Sequence, residues 1–329
     1  MIRKIIFGEQ HYFQGGFSMK NKSKYLPILA GVLVSVIFGF SFLFTKEALD
    51  NIQPFHLLGF RFACAFIVLS ILKFLGFIEI NFAGKSLNLL LLLALFQPVG
   101  YFIFETLGLK LSTASEAGMM IALIPVVVAI LATIFLQEIP SKKQVLFIII
   151  SVTGVVFIIF MKSNTQFSRE STGLFLLLGA VLSAGVYNIL SRKSSFEFTS
   201  IEITYIMMSI GAIFFNGVSL MRHYLNNQLS NYFVPLATQD VLIAVLYLGI
   251  LSSVMAFLMV NFMLAKLEAY KSAVFTNLTT IISVAAGVIF RNEAFYWFHF
   301  LGGLLIILGV WGTNYYGKQA KNYDLKTSK

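Results

Sequence analysis

The chain has a single cysteine, Cys64, inside an apolar run, so an internal disulfide is excluded and redox compartment is not readable. Its four histidines, His11, His56, His223 and His299, are scattered and make no metal cluster, and neither a metal nor any other cofactor is expected. Charge is scarce, with 12% of residues ionisable against about a quarter in soluble domains. HExxH, GxSxG and paired-cysteine patterns are all missing, which leaves a catalytic role without a nucleophile or metal set. Residues 312–318, GTNYYGK, keep the spacing of a phosphate-binding loop until Gln319 replaces the required Ser or Thr. They also follow a long apolar run rather than a strand, so no ATP-driven module is read here. No long apolar stretch follows Arg3 and Lys4, so residues 1–18 do not form a signal peptide. Met19, which opens a basic tail leading into the first apolar run, is the expected true start. Gly15-Gly16 fits an in-frame bacterial ribosome-binding sequence just upstream of it.

What the chain does have is apolar surface. Hydrophobic residues make up 58% of its 329 positions, with 35 phenylalanines and a mean hydropathy of +0.86. A water-soluble core could not hide this much, so the chain reads as an all-α integral membrane protein with the lipid bilayer as its solvent. A spanning helix needs roughly 20 mostly apolar residues. Ten runs qualify: about 26–45, 55–75, 87–109, 116–137, 144–161, 172–190, 201–222, 240–263, 271–290 and 297–316. Continuous runs of this length lack the two-residue alternation of a membrane barrel.

The net charge of +10 does not point to nucleic acid, because the basic residues sit between apolar runs. Seventeen Lys and Arg fall on the side that carries both termini and six on the other, which places both termini in the cytoplasm. Most of that bias comes from the tails. The internal loops nearly cancel, and a repeat explains why. Gly39 and Gly185 lie 146 positions apart, as do Lys46 and Arg192. Lys110 and Lys266 are 156 apart, and Glu138 and Glu293 are 155 apart, as are Gly154 and Gly309. Residues 26–161 and 172–316 therefore read as two copies of a five-helix unit joined by a linker at 162–171, with tails at 1–25 and 317–329. Five is odd, so the copies lie inverted, and inherited cations land on opposite faces. Inverted repeats with a midplane site between them are common among secondary transporters.

Several stretches are similar to one family. Span 1 ends FGFSFLFTK (38–46), and span 2 carries QPFHLLGFRF (53–62). GLKLSTASEAGMMIALIPV (108–126) and FLQE (135–138) follow, and 247–278 with FRNE (290–293) repeats the plan. Together they resemble the EamA-type transporters of the drug/metabolite transporter superfamily, over nearly all of 26–316. Thr280 or Ile281 stands where the second copy often repeats the proline, and Gln137 replaces a common glycine. The resemblance implies ten helices, both termini in the cytoplasm of a bacterial plasma membrane, and efflux or exchange of small metabolites. It also implies a central cavity among spans 1, 3, 4, 6, 8 and 9.

Polar residues inside the apolar runs are the candidate site. In YFIFETLGLK (101–110), Glu105 lies roughly 7.5 Å deep from the end of its span, and Arg61 lies about 9 Å deep in span 2. Burying either charge alone costs at least about 2.5 kcal/mol. A mutual ion pair or a shared aqueous vestibule would relieve that cost. The second copy places Asn261 where the offset predicts a counterpart of Glu105. Tyr187, Asn188, Thr276 and Asn277 on spans 6 and 9, Gly39, Phe40 and Ser41 on span 1, and Tyr101 on span 3 complete the expected pathway. Glu138 and Glu293 close spans 4 and 9 and read as helix-end contacts. Gly302, Gly303 and Gly309 permit close approach within the chain or across a homodimer.

The expected activity is secondary transport of small, amphipathic or amino-acid-like metabolites by alternating access. A receptor or assembly partner without flux is the alternative class, and an intramembrane enzyme a weaker one. The topology is checked by reporter fusions. Green fluorescent protein after residue 329 is expected to fluoresce, and alkaline phosphatase after residue 230 to be active; the reverse pattern overturns the assignment.

Overall fold

Backbone N–H and C=O groups in an apolar medium must be satisfied within the segment that carries them, and a lone apolar run does this only as a helix. The computed structural model describes residues 22–136, 141–163, 169–266 and 275–327, and among these the chain is helix and loop without a strand. Helix α1 is Lys22–Leu49, α2 is Pro54–Phe74 and α3 is Asn88–Leu111. α4 comes in two pieces, Ala114–Ile121 and Ile124–Leu136. α5 is Lys142–Ser163, α6 Arg169–Ser194, α7 Ser200–Leu225 and α8 Gln239–Lys266. α9 is Phe275–Arg291 and α10 Trp297–Thr327.

Among the described residues, eight helices, α1 to α8, are long and apolar enough to cross a membrane. The remaining two of the ten expected spans are represented by shorter apolar helices, Phe275–Arg291 and Trp297–Thr313. The 17 residues of α9 stand at the lower limit of the range for a span. Short connections make successive helices antiparallel, so the bundle has a near end, where α1 begins, and a far end, where it finishes.

The helix boundaries follow local chemistry. Pro54 opens α2, where its missing N–H costs no hydrogen bond. Thr113 with Glu116, and Thr199 with Glu202, form reciprocal capping boxes at the starts of α4 and α7. α3 kinks within Leu95–Gly100, where Pro98 lacks an N–H and Gln97 leaves helical geometry (φ −149°, ψ 113°), so that its hydrogen-bond ladder is interrupted. α8 widens into a π-turn at Tyr247–Ala256. α4 is interrupted at Ala122 and Leu123, just before Pro125, which has no N–H to donate to the carbonyl four residues back: it stops at Ile121 and restarts at Ile124.

Packing pairs each helix of residues 22–163 with partners from 169–327. α5 lies against α10, α2 against α7, α3 and α4 against α6, and α1 against α8 and α9. The first piece of α4 also packs on α9. The segment between α7 and α8 is pinned rather than free: Tyr232 Oη donates to Asn216 Oδ1 (2.6 Å), whose Nδ2 donates to Gly59 O on α2 (2.9 Å). The outer faces of α5 and α10 are apolar and exposed, including Leu146, Ile149, Val156, Trp297, Phe300 and Trp311.

Gly302 and Gly309 on α10 face α5 inside the chain, where a Cβ on Gly309 would sit 2.5 Å from the backbone nitrogen of Ser151. Their small size is thus spent on an intramolecular contact. Gly309→Leu is expected to destabilise the protein by about 1–3 kcal/mol through overpacking, read as a lower Tm in detergent. Gly217→Ala, where an added Cβ meets nothing within 4 Å, is the control and should leave Tm unchanged or slightly raised.

Candidate functional site

A cavity of about 100 Å³ lies between the two sets of helices. Of the expected pathway residues, Ser41, Arg61, Tyr101, Glu105, Tyr187, Asn188 and Thr276 line it. The wall is drawn from α1, α3, α4, α6, α8 and α9, with Arg61 reaching in from α2. It runs from Arg61 and Glu105, in the half of α2 and α3 toward the far end, to Met263, Phe275 and Thr276 at the near end. Phe38, Phe42, Phe102, Phe257, Ile121 and Ile124 make most of that wall apolar.

Arg61 and Glu105 share this cavity at matching depth, but among the described residues they make no direct ion pair. The guanidinium is 2% exposed and is held across the bundle by α8. Its Nε donates to Ser253 Oγ (2.8 Å) and its Nη2 to Ser252 Oγ (2.9 Å), and its carbon lies 4.3 Å from the centroid of the Phe102 ring. Glu105 Oε2 accepts from the hydroxyl of Thr106 (3.0 Å). Hydroxyls and a ring face, not a countercharge, are what touch the cation.

Four expected residues lie off the cavity wall. Gly39 meets α9, where a Cβ would come within 2.5 Å of Ile282. The ring of Phe40 packs edge-on against Phe290 of the same helix, 6.0 Å between centroids. Asn261 is fully buried behind Tyr187 and organises a neutral cluster. Its Oδ1 accepts from Tyr187 Oη (2.8 Å) and Ser191 Oγ (2.7 Å), while its Nδ2 donates to Thr204 Oγ1 (2.9 Å). Asn277 has a buried Oδ1 with no hydrogen bond among the described residues.

Sequence reasoning missed Gln97, Ser252 and Thr279, which also line the cavity. A signal for Gln97 existed: a carboxamide directly before a proline inside an apolar run marks a place where helix backbone is already broken. Serine costs so little in a membrane helix that Ser252 leaves no comparable trace.

Polar contacts tie helix ends together at the far end. Glu293, beyond α9, sits at the start of α4 and accepts from Ala114 N (2.8 Å), Ser115 N (2.9 Å) and Ser115 Oγ (2.6 Å), satisfying donors that a helix N-terminus leaves open. Arg291 pairs with Glu47 (2.7 Å) and Asp50 (3.0 Å) at the end of α1. Lys46 donates to the carbonyls of Leu109 (2.7 Å) and Ser112 where α3 finishes. At the near end Arg192 does the same for α8, donating to Leu264 O (2.7 Å) and Ala265 O (2.9 Å). Lys85 pairs there with Glu202 (2.9 Å). The helix-end role read for Glu293 is therefore seen; Glu138 lies outside the described residues.

Membrane-length helices enclosing a cavity with buried polar groups define a multi-pass membrane protein of the transporter class. The chain belongs to the EamA-like transporter family, whose family model matches it twice, over residues 25–160 and 171–315. It is 37% identical over 286 residues to the uncharacterized transporter YcxC of Bacillus subtilis (strain 168), covering 87% of this chain and 92% of that one. It is 25% identical over 320 residues to the uncharacterized transporter YetK of the same organism, covering 96% and 94%. An uncharacterized transporter of Archaeoglobus fulgidus is 28% identical over 283 residues, covering 85% and 94%. A solved crystal structure shares the fold at a TM-score of 0.58 and 17% identity, covering 87% of this chain and 96% of that one.

The two asparagines separate by contact. Asn261→Leu removes three side-chain hydrogen bonds and is expected to cost about 1–2 kcal/mol, lowering Tm in detergent. Asn277→Leu should leave Tm within error, because no bond is lost.

Proposed function

We propose that the chain is a secondary carrier that exports or exchanges small amphipathic metabolites by alternating access, built as two inverted five-helix repeats in a bacterial plasma membrane. The observation that carries this reading is the cavity, which is lined by Arg61 and Glu105; in this reading the contacts between helices of opposite halves at the far end are its closure. Such contacts are small, polar and reversible, as a gate requires. In this reading the near end is cytoplasmic and the described conformation is closed to the outside.

Several pairings support the inverted repeat. Lys46 and Arg192, 146 positions apart, each cap the last carbonyls of the third helix in their own half. Both of those helices are irregular at mid-length, α3 by a kink at Gln97 and α8 by a π-turn. The contact of α1 with α9 has its counterpart in α6 with α4, and that of α3 with α6 in α8 with α1, while α2–α7 and α5–α10 each map onto themselves. Glu105 and Asn261, 156 apart, occupy the matching place, charged and cavity-facing in one half, neutral and buried in the other.

The test is flux. Purified protein in liposomes is expected to give saturable uptake or counterflow of at least one member of a metabolite panel, measured at two pH values. Saturable binding without flux favours the receptor class, and neither binding nor flux counts against the carrier. A Cys64→Ser, Thr279→Cys background adds a readout of the gate. Glu293→Ala together with Arg291→Ala should raise labelling of that cysteine by an outside, membrane-impermeant maleimide several-fold; unchanged labelling would argue against a far-end gate.

A further inference from the structure

Arg61 carries more hydrogen-bonding capacity than the protein uses. A guanidinium has five N–H donors in a rigid fork. Two are taken by Ser252 and Ser253, both neutral, and among the described residues Nη1 has no acceptor. Glu105, which could have neutralised it in contact, is bonded to Thr106 instead. A buried cation without an anion in contact is costly, and an ionisable residue in a membrane span that faces a cavity marks a ligand or ion site by default; Glu105 lies in the same cavity but does not occupy the guanidinium's open donors. Gln97 adds an independent observation on the same wall: its Oε1 is buried and has no hydrogen-bond partner, at the point where α3 leaves helical geometry. The remaining wall is aromatic and aliphatic, with Phe38, Phe42, Tyr101 and Phe257 around these polar groups.

We propose that this end of the cavity is a carboxylate site, with Arg61 as the anchor for a ligand that carries a carboxylate on a compact apolar body, and with Gln97 Oε1, an acceptor, open to a donor elsewhere on that ligand. A planar two-oxygen acceptor matches the free side of the guanidinium fork, and a sulfur- or alcohol-type head does not. Glu105 in the same cavity limits the ligand further. Its negative charge beside an incoming carboxylate is offset either by an ammonium on the ligand, giving a zwitterion, or by a proton on Glu105, giving a plain monocarboxylate. The carboxylate and apolar body are common to both. This inference rests on the cavity being the ligand site of the carrier reading, but binding rather than flux decides it.

The experiment measures equilibrium binding to the purified full chain of four probes with one phenyl body: 3-phenylpropionate, phenylalanine, 2-phenylethylamine and 3-phenylpropan-1-ol. At least one of the two carboxylates is expected to bind about tenfold or more tightly than both the amine and the alcohol, a gap set by charge-assisted bonds. Which carboxylate wins tells the zwitterion from the monocarboxylate. Arg61→Gln should erase the gap, and Arg61→Lys, which keeps the charge without the fork, should narrow it. Amine or alcohol binding as tight as the carboxylates, no binding by any probe, or a gap that survives Arg61→Gln overturns the proposal. If Arg61→Gln does not fold, the unsubstituted protein and Arg61→Lys still decide. Flux without a carboxylate preference sinks this inference alone, whereas carboxylate binding without flux sinks the carrier reading and leaves the site.

Discussion

Charge placed in a medium that cannot solvate it is the constraint around which this protein is arranged. Apart from Glu105, whose contact is its own neighbour Thr106, the buried or half-buried ions described here are held by groups that belong to a different helix or to a helix end. Lys46 and Arg192 find the last carbonyls of α3 and α8, and Glu293 finds the first amides of α4. These are the backbone groups that helices leave unsatisfied at their ends. In water such contacts would contribute little, because solvent would serve both partners. In an apolar bundle each contact both relieves a charge and completes a helix terminus, so one side chain locks two elements together.

The same constraint explains where the backbone is irregular. The kink of α3, the π-turn of α8 and the interruption of α4 all touch the cavity, through Gln97, Ser252 and the pair Ile121 and Ile124. Non-helical backbone at membrane depth is tolerated only where protein or a water-filled space can satisfy it. The interruption before Pro125 and the kink before Pro98 therefore fall in a region where departures from helix are tolerated. They also aim side chains inward that a regular helix would have turned toward its neighbours.

Legibility in the chain was uneven for physical reasons. Apolar run length reported the helices well, since a span has a required length, although it could not tell the shorter α9 from a full-length span. Offsets between Lys46 and Arg192 pointed to a repeat, but their capping of third-helix carbonyls needed coordinates, because carbonyls have no residue identity. Depth arithmetic put Arg61 and Glu105 at one level. Whether they touch depended on rotamer and on Ser252 and Ser253 approaching from α8, some 190 positions away in sequence. Phe40 and Gly39 shared a span with Ser41, yet helical geometry turned them to α9 and Ser41 to the cavity.

The amino-acid order alone determined the solvent, the helical class and the family pattern, because each depends on the kind of residue and its spacing along one strand of chain. Tertiary structure decided which polar groups meet, which side of each helix borders empty space, and which helix ends are tied together. Those outcomes depend on angles and distances between segments far apart in sequence, and a few ångströms separate an ion pair from two charges that merely share a room.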